Sequence, residues 1–350
     1  MAVAGAKLNP QKRTPPRASL WGLPRPDPAV LQFLAQAAAC SCHGAIPLLT
    51  TGRFMNWWQS ILIGIVEGLT EYLPVSSTGH ILLTQKILGI PATESSNAYA
   101  VVVQVGAILA VLGLYFQRCR SLFDGLLGKN PQGLLLLRNI MIAFLPAVVA
   151  GLLFDKRIEQ YLFGLWPVTA AWFVGGVAIL AVAWFKRNAA PGARKIGLSL
   201  EDITPKTAFL IGLLQCVAMW PGTSRSLMVI VGGLLIGLNM IAAVEFSFLL
   251  GMVTLTAASG YKMLKFVKHP ELLQDYSVTT MLLGIIAAWV AAALSVKWMV
   301  GWLQKHGVTV FGYYRIGLAV IVAGLLLGGL LEDDTPPAPV PVATAVTVQP

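Results

Sequence analysis

Ten apolar runs follow one another along the chain, separated by short polar stretches. They cover residues 57–73, 81–90, 98–117, 139–154, 164–185, 207–220, 227–238, 240–261, 278–298 and 311–331. The runs are continuous rather than alternating, which predicts α-helices and not the strands of a membrane barrel. Several approach the roughly 20 residues that a helix needs to span a bilayer. The pattern therefore predicts an all-α polytopic membrane protein with about eight transmembrane helices.

Two polar segments are conspicuous because they place ionisable and hydroxyl side chains within apolar sequence. The first polar segment, EGLTEYLPVSSTGH, extends from Glu67 to His80, and the second polar segment, PGTSRS, extends from Pro221 to Ser226. The apolar runs beside each are short and are broken by proline and glycine. Such runs in corresponding places of two halves are typical of re-entrant helix pairs around a site near the membrane midplane. Because polar groups are costly inside a bilayer, both segments indicate function.

The surroundings of the two polar segments also resemble each other, which indicates an internal repeat. The tetrapeptide GIVE that ends at Glu67 aligns with GLLQ that ends at Gln215, and Tyr72 then aligns with Trp220. A one-residue gap also aligns the prolines that follow. Chance similarity between sequences rich in Gly, Leu and Pro is the alternative. For a real repeat, the expected architecture is an inverted repeat that contains the re-entrant pairs.

The composition agrees with a membrane protein. Of the 350 residues, 56% are hydrophobic and 11% are charged, whereas a soluble domain has about 25% charged residues. The net charge of +10 comes mostly from residues between the apolar runs and near the N-terminus, so it does not indicate binding to nucleic acid. Residues 118–138 and 186–206 are basic and residues 155–163 are balanced. The positive-inside rule places the two basic stretches in the cytoplasm and residues 155–163 on the opposite side.

Both ends of the chain differ from the membrane region, which we assign to residues 55–331. Residues 1–54 carry six Lys or Arg against one acid and are rich in proline. Three interpretations are open: a disordered basic tail, a targeting segment, or translation that starts at Met55; we favour the first and the last. Residues 332–350 have no core-forming pattern and are expected to be disordered. The four cysteines show no disulfide framework, and a zinc site at Cys40–His43 lacks a second ligand pair.

Two carboxylates in the first polar segment suggest a cation site. Glu67 and Glu71 are four residues apart, so on a helix they share one face with Cβ atoms roughly 6 Å apart. Like charges at this distance repel in a medium of low dielectric. A divalent cation between them removes the repulsion, and carboxylates together with a phosphate oxygen are ligands that Mg²⁺ commonly takes. The alternatives are a protonated glutamate acting as a general acid, or a pair capped by backbone or serine donors.

The end of the first polar segment supplies candidate nucleophiles. Ser76, Ser77 and Thr78 follow Pro74, where a helix ends and backbone amides are unpaired. Their hydroxyls could bind phosphate or could simply cap the next helix. His80 is the only histidine in an apolar region, so it is either a structural residue or a reacting group. As a reacting group it would attack phosphorus itself, or act as acid or base for a serine or water.

The second polar segment is the anion-binding candidate because of Arg225. Between Thr207 and Tyr261 the only charged side chains are those of Arg225 and Glu245. A guanidinium is always ionised and its planar fork suits phosphate. Neighbouring residues that could assist are Gly222, which allows close approach of the backbone, and the hydroxyl donors Ser224 and Ser226. The alternative is an ion pair between Arg225 and Glu67, Glu71 or Glu245; Gln104 and Glu245 are weaker candidates for contact with the site.

The two polar segments closely resemble the signatures of the undecaprenyl-diphosphate phosphatase family of the bacitracin-resistance type. Those signatures are a glutamate-rich stretch that ends in LPVSSTGH and a PGxSRS box, and the resemblance covers roughly Trp57 to Leu331. It implies removal of the terminal phosphate from undecaprenyl diphosphate, which recycles the lipid carrier for cell-wall synthesis and confers bacitracin resistance. The alternative is a transporter or flippase of a lipid phosphate or another anion. The dense cluster of nucleophiles favours the hydrolase.

The resemblance also implies a setting and a set of site residues. The site would face the outer side of the bacterial inner membrane and use a divalent cation, Mg²⁺ or Ca²⁺. The nucleophile stays open between His80, Ser77 and water, and the oligomeric state stays open, with a homodimer as one alternative. Where the family commonly has a threonine after the second signature, this chain has Val229, which puts one phosphate contact in doubt. The family residues carried over by position are Glu67, Glu71, Ser77, His80, Ser224 and Arg225.

Overall fold

In the computed structural model, residues 55–91, 93–188, 197–274 and 276–333 are described. The predictions for residues 1–54 lie outside them, as do those for the tail beyond Asp333, and the division into three regions stays a prediction. The helices of the described residues are α1 (Trp57–Thr70), α2 (Ser77–Ile87), α3 (Glu94–Leu114), α4 (Phe116–Leu126), α5 (Pro131–Leu162), α6 (Leu165–Asn188), α7 (Pro205–Val217), α8 (Arg225–Leu235), α9 (Met240–Lys268), α10 (Val278–His306) and α11 (Thr309–Leu327).

The all-α polytopic architecture is confirmed. In the described part of the chain, six helices are long and apolar enough to cross a membrane, namely α3, α5, α6, α9, α10 and α11. The sequence predicts about eight; the four apolar runs beside the polar segments form the shorter helices α1, α2, α7 and α8. Helix α4 is also short and carries Arg118 and Arg120 between exposed aromatic side chains, which is typical of a helix in the membrane interface.

The internal repeat is visible in the helix boundaries. Asn56 and Thr204 are the N-caps of α1 and α7, while Ser76 and Ser224 are the N-caps of α2 and α8. Both pairs are separated by the same number of residues, as the alignment of Glu67 with Gln215 requires, but without the one-residue gap that would align the prolines. Three spans, α3, α5 and α6, lie between the first short pair and the second. An odd number of crossings brings the second pair in from the opposite side, which is the inverted arrangement.

The short helices α1 and α7 each make their main packing contacts with a helix from the other half of the chain. Helix α1 packs mainly against α10 of the second half, and α7 packs mainly against α5 of the first half. The contact points are glycines at equivalent positions of the repeat. A Cβ atom on Gly64 would lie 3.0 Å from the Cβ of Ala287, and one on Gly212 would lie 2.9 Å from the Cα of Ala143. Small residues allow this close approach, which is how helices commonly associate within lipid.

We expect Gly64→Ala and Gly212→Ala each to destabilise the protein by about 1–3 kcal/mol, because the added methyl groups meet the backbone of the facing helix. The thermal midpoint in detergent should fall by a few degrees. Gly113→Ala is the matched control, since nothing lies within 4 Å of a Cβ at this position of α3. Equal midpoints for all three variants would contradict the close packing described here.

Candidate active site

Two equivalent turns, one in each polar segment, build the site. Ser76 and Ser224, at the starts of α2 and α8, have φ of 75° and 78°, and they are the only non-glycine residues with positive φ in the described ranges. This conformation costs on the order of 1–3 kcal/mol per residue and is concentrated at functional sites. Both serines are buried. The repeat therefore places two strained turns together inside the protein.

The central contact of the site joins the two polar segments through Glu71. Arg225 Nη2 donates to Glu71 Oε1 at 3.0 Å, and Ser77 Oγ donates to Glu71 Oε2. All three side chains are largely buried. Arg225 Nη1 also donates to the carbonyl of Ser247 at 3.4 Å, whereas Arg225 Nε has no hydrogen-bond partner in the described structure. The ion pair considered from the sequence is thus formed with Glu71.

Glu67 lies one helical turn before Glu71 and is 2% exposed. Its Oε1 atom has no hydrogen-bond partner among the described residues, and the side chain of Gln104 on α3 is one of its polar neighbours. Gln104 Oε1 in turn accepts from Ser259 Oγ at 3.0 Å. Glu245, by contrast, pairs with Arg118 at 2.6 Å and so belongs to a different ion pair. Of the two weaker candidates, only Gln104 contacts the site.

The two glutamates fit a hard divalent cation. In the described ranges no group of three or more His, Cys, Asp or Glu side chains could hold a metal. A cation here would therefore take Glu67 and Glu71 from the protein and complete its shell with water and phosphate oxygens, a pattern common for Mg²⁺. The unpartnered Glu67 Oε1 is an available ligand atom, whereas both oxygens of Glu71 already accept hydrogen bonds.

The serines of the second polar segment form a chain of hydrogen bonds. Ser226 Oγ donates to the carbonyl of Leu73 at 2.9 Å, so in its 3.0 Å contact with Ser224 Oγ it must accept. Ser224 Oγ in turn accepts from the backbone amide of Leu227 at 3.3 Å. Ser226 consequently ties α8 to the first turn, and Ser224 caps α8. The remaining phosphate-binding candidates differ in exposure: Thr78 is exposed, whereas Gly222 and Ser76 are buried.

His80 occupies a separate part of the site. Its Nδ1 lies 2.6 Å from the carbonyl of Ser76, which can only accept, so Nδ1 carries a proton. In the neutral ring Nε2 then accepts from the hydroxyl of Tyr314 at 2.8 Å. The imidazole also stacks on the Tyr314 ring and meets the edge of Trp172. Both ring nitrogens are engaged, and neither bonds a glutamate.

Two residues of α11 that the sequence analysis missed belong to this site, Tyr314 and Arg315. Arg315 is fully buried and donates to four backbone carbonyls, among them one in each turn. A signal for it exists, since Arg315 is the only charged residue in the apolar run 311–331. Val229 lies in the main apolar core and is fully buried, so the missing threonine hydroxyl would face apolar neighbours.

Comparison with known proteins provides a second line of evidence on the family to which this chain is similar. The model of the family described as "Bacitracin resistance protein BacA" matches residues 60–321. The chain is 40% identical over 274 residues to the undecaprenyl-diphosphatase of Sorangium cellulosum (strain So ce56), an alignment that covers 77% of this chain and 87% of that protein. It is 40% identical over 276 residues to undecaprenyl-diphosphatase 1 of Chromobacterium violaceum, covering 79% and 98%. For the undecaprenyl-diphosphatase of Enterococcus faecalis the identity is 34% over 276 residues.

Proposed function

Because the chain belongs to the bacitracin resistance protein BacA family, it is an undecaprenyl-diphosphatase, and we propose that its reaction takes place where Arg225, Glu71 and Ser77 meet. The resemblance seen in the two polar segments is confirmed. The enzyme hydrolyses undecaprenyl diphosphate to undecaprenyl phosphate and inorganic phosphate, which returns the lipid carrier to cell-wall synthesis and confers bacitracin resistance. The observation that supports this location is the contact of Glu71 with Arg225 and Ser77 across the two segments.

Arg225 is the anion-binding group in this proposal. The terminal phosphate displaces Glu71 from the guanidinium and accepts two parallel hydrogen bonds from its planar fork. The free Arg225 Nε is a further donor for the same anion. Additional donors are the first amides of α2, because Ser76 makes no side-chain cap to them. Ser224, Ser226 and Gly222 keep Arg225 in place, and Thr78 lies exposed beside the amides.

Glu67 and Glu71 would hold the divalent cation, Mg²⁺ or Ca²⁺. When bound, the cation neutralises charge on the diphosphate and so makes the leaving group easier to expel. Glu67 on α1 and Glu71 at the C-cap of α1 remain one helical turn apart, and Arg225 leaves Glu71 as the phosphate arrives. Exchange of one anion for another on Arg225 keeps the guanidinium paired throughout, which avoids an uncompensated buried charge.

Ser77 is the proposed nucleophile because it already donates its proton to a carboxylate. Ser77 Oγ attacks the terminal phosphorus while its proton passes to Glu71 Oε2. The bond between phosphorus and the bridging oxygen breaks, and undecaprenyl phosphate leaves. Water then cleaves the Ser77 phosphate ester, releasing inorganic phosphate and restoring the hydroxyl. His80 Nε2 competes for this role only after Tyr314 releases it.

Trapping the phosphoenzyme tests the nucleophile. We expect rapid quenching of the enzyme with radiolabelled undecaprenyl diphosphate to yield phosphate that is stable to acid, lost in Ser77→Ala and retained in His80→Ala. Thr84→Val serves as the control, because this hydroxyl lies on α2 and bonds the carbonyl of His80 at 2.7 Å. Acid-labile phosphate that disappears in His80→Ala would assign the attack to the histidine instead. No trapped phosphate in any variant would favour direct attack by water.

The proposed setting is the bacterial inner membrane, with the site open to the outer side. The chain is a multi-pass membrane protein. The basic residues 118–138, on the cytoplasmic side by the positive-inside rule, follow α3. One crossing earlier, the pair α1 and α2 then enters from the outer side, and this pair carries Glu67, Glu71 and Ser77. The prenyl chain stays in the lipid between helices, and the homodimer stays a prediction.

A further inference from the structure

Arg315 is a buried cation that donates hydrogen bonds to four backbone carbonyls of the described structure. Its side chain is 0% exposed. Nε donates to the carbonyl of Trp172 at 3.3 Å and Nη2 to that of Ala171 at 2.9 Å, both on α6. Nη1 donates to the carbonyl of Pro74 at 3.2 Å, and Nη2 also donates to that of Gly222 at 2.8 Å. A buried guanidinium is costly unless all its protons are matched, and this one is matched almost entirely by dipoles.

The two carbonyls outside α6 hold equivalent places in the repeat. Pro74 precedes Ser76 by two residues, and Gly222 precedes Ser224 by two residues. Ser76 and Ser224 are the two residues with positive φ. One guanidinium therefore holds both strained turns at the same point of each. In the described structure, no other side chain from outside the polar segments donates hydrogen bonds to the backbone of both turns.

The surroundings of Arg315 leave a space shaped for its guanidinium. A Cβ atom on Gly175 of α6 would lie 2.8 Å from Cζ of Arg315 and 3.0 Å from its Nε. Trp172 Nε1 supports the same turn, donating to the carbonyl of Val75 at 3.0 Å. Successive carbonyls of the first turn are thus bonded by side chains from different helices. These donors are Ser226 for Leu73, Arg315 for Pro74, Trp172 for Val75 and His80 for Ser76.

We propose that Arg315 is a positioning residue for phosphate hydrolysis, which rests on the function proposed above. It fixes the distance between the two turns and thereby the 3.0 Å contact between Arg225 and Glu71, where the phosphate enters. Arg315 is fully enclosed, so it acts through Arg225 and Glu71 and not on the substrate directly. A misplacement of about 1 Å between reacting groups costs about 100-fold in rate. Most of the substrate is the prenyl chain, which binds in lipid away from this alignment, so we expect the loss mainly in kcat.

The first experiment compares kcat and KM for Arg315→Met and Arg315→Lys in detergent. We expect Arg315→Met to lower kcat by about 100-fold with KM nearly unchanged, and Arg315→Lys to recover part of the loss, because an ammonium can reach one of the turns but not bridge both. Asn139→Leu is the matched control. It removes a buried side-chain bond to the carbonyl of Ile203, 2.6 Å long and in neither turn, so it should lower the thermal midpoint but not kcat.

Gly175→Ala covers the case in which Arg315→Met does not fold. It keeps the charge but pushes the guanidinium away from α6, so a kcat-selective loss is expected again. A normal kcat in folded Arg315→Met, or a loss matched by loss of folded protein in both variants, would overturn the inference.

A double-mutant comparison separates this inference from the proposed function. In an Arg225→Lys background the fork is already lost, so Arg315→Met should have a much smaller additional effect than it has in the wild type. Independent, multiplying effects would mean that Arg315 stabilises the fold without aligning Arg225. If Arg225→Lys and Arg225→Ala both keep wild-type activity, the proposed function itself is wrong. If the Arg225 variants are impaired but Arg315→Met is normal, only the positioning role is wrong.

Discussion

Arg225→Ala is expected to lower phosphate release from undecaprenyl diphosphate by about 10³-fold or more, the scale at which an arginine stabilises a phosphoryl-transfer transition state. The substitution removes the only guanidinium in contact with Glu71 among the described residues. It also leaves Glu71 buried with one hydrogen bond fewer. The measurement is initial phosphate release by purified protein in detergent, where no membrane gradient exists and a transporter would do nothing.

Two variants control this prediction. Arg225→Lys keeps the charge but loses the planar fork, and its rate should lie between those of the wild type and Arg225→Ala. Arg118→Ala removes another paired arginine, one that contacts Glu245 at 2.6 Å and is 42% exposed. It should keep the wild-type rate because, in the described structure, the side chains of this pair make no hydrogen bond to either turn. Near-normal hydrolysis by Arg225→Ala would refute the location of the site.

The second large effect is expected for Glu71→Gln. The amide cannot accept the proton of Ser77, and loss of a general base costs about 10²- to 10⁴-fold. It is also a poorer cation ligand, so the concentration of Mg²⁺ that gives half-maximal thermal stabilisation of the protein should rise. That shift is read from melting curves with the metal alone and does not depend on activity.

Glu245→Gln is the matched control for Glu71→Gln, since it neutralises a partly buried glutamate whose partner is Arg118. It should change neither the rate nor the Mg²⁺ dependence. If Glu71→Gln loses activity while its melting curves respond to Mg²⁺ as those of the wild type do, Glu71 acts as a base and the cation is held elsewhere. Wild-type activity in Glu71→Gln would rule out both roles.

The sequence was sufficient for the fold class, and it narrowed the partner of Arg225 in an ion pair to Glu67, Glu71 or Glu245. Apolar run length predicts membrane helices directly, and the isolated charges Glu71 and Arg225 could be stable only near each other or near an ion. The sequence alone does not fix the number of spans, because an apolar run beside a proline can be either a span or half of a re-entrant pair. The helix bounds separate these cases, since α1, α2, α7 and α8 have only 11–14 residues each.

Arg315 and Ser226 show what the sequence could not supply. Their hydrogen bonds end on backbone carbonyls of distant residues, Pro74 and Gly222 for the arginine and Leu73 for the serine. Every residue has a carbonyl, so the acceptor leaves no mark in the sequence. For the same reason the sequence around Ser226 predicts a hydroxyl that donates to phosphate. In the structure this hydroxyl donates to the carbonyl of Leu73 and so joins the two turns.

The crossed packing of the two halves has a consequence for biosynthesis. Of the described helices, α1 is the first to be synthesised, whereas its main partner α10 and the guanidinium of Arg315 follow only after the intervening helices. While the intervening helices are inserted, Glu67 and Glu71 are therefore without Arg225, and the first turn is without the hydrogen bond from Arg315. No nascent chain that ends before Arg315 can contain the complete site, so the lipid carrier meets an active phosphatase only once synthesis has passed that point.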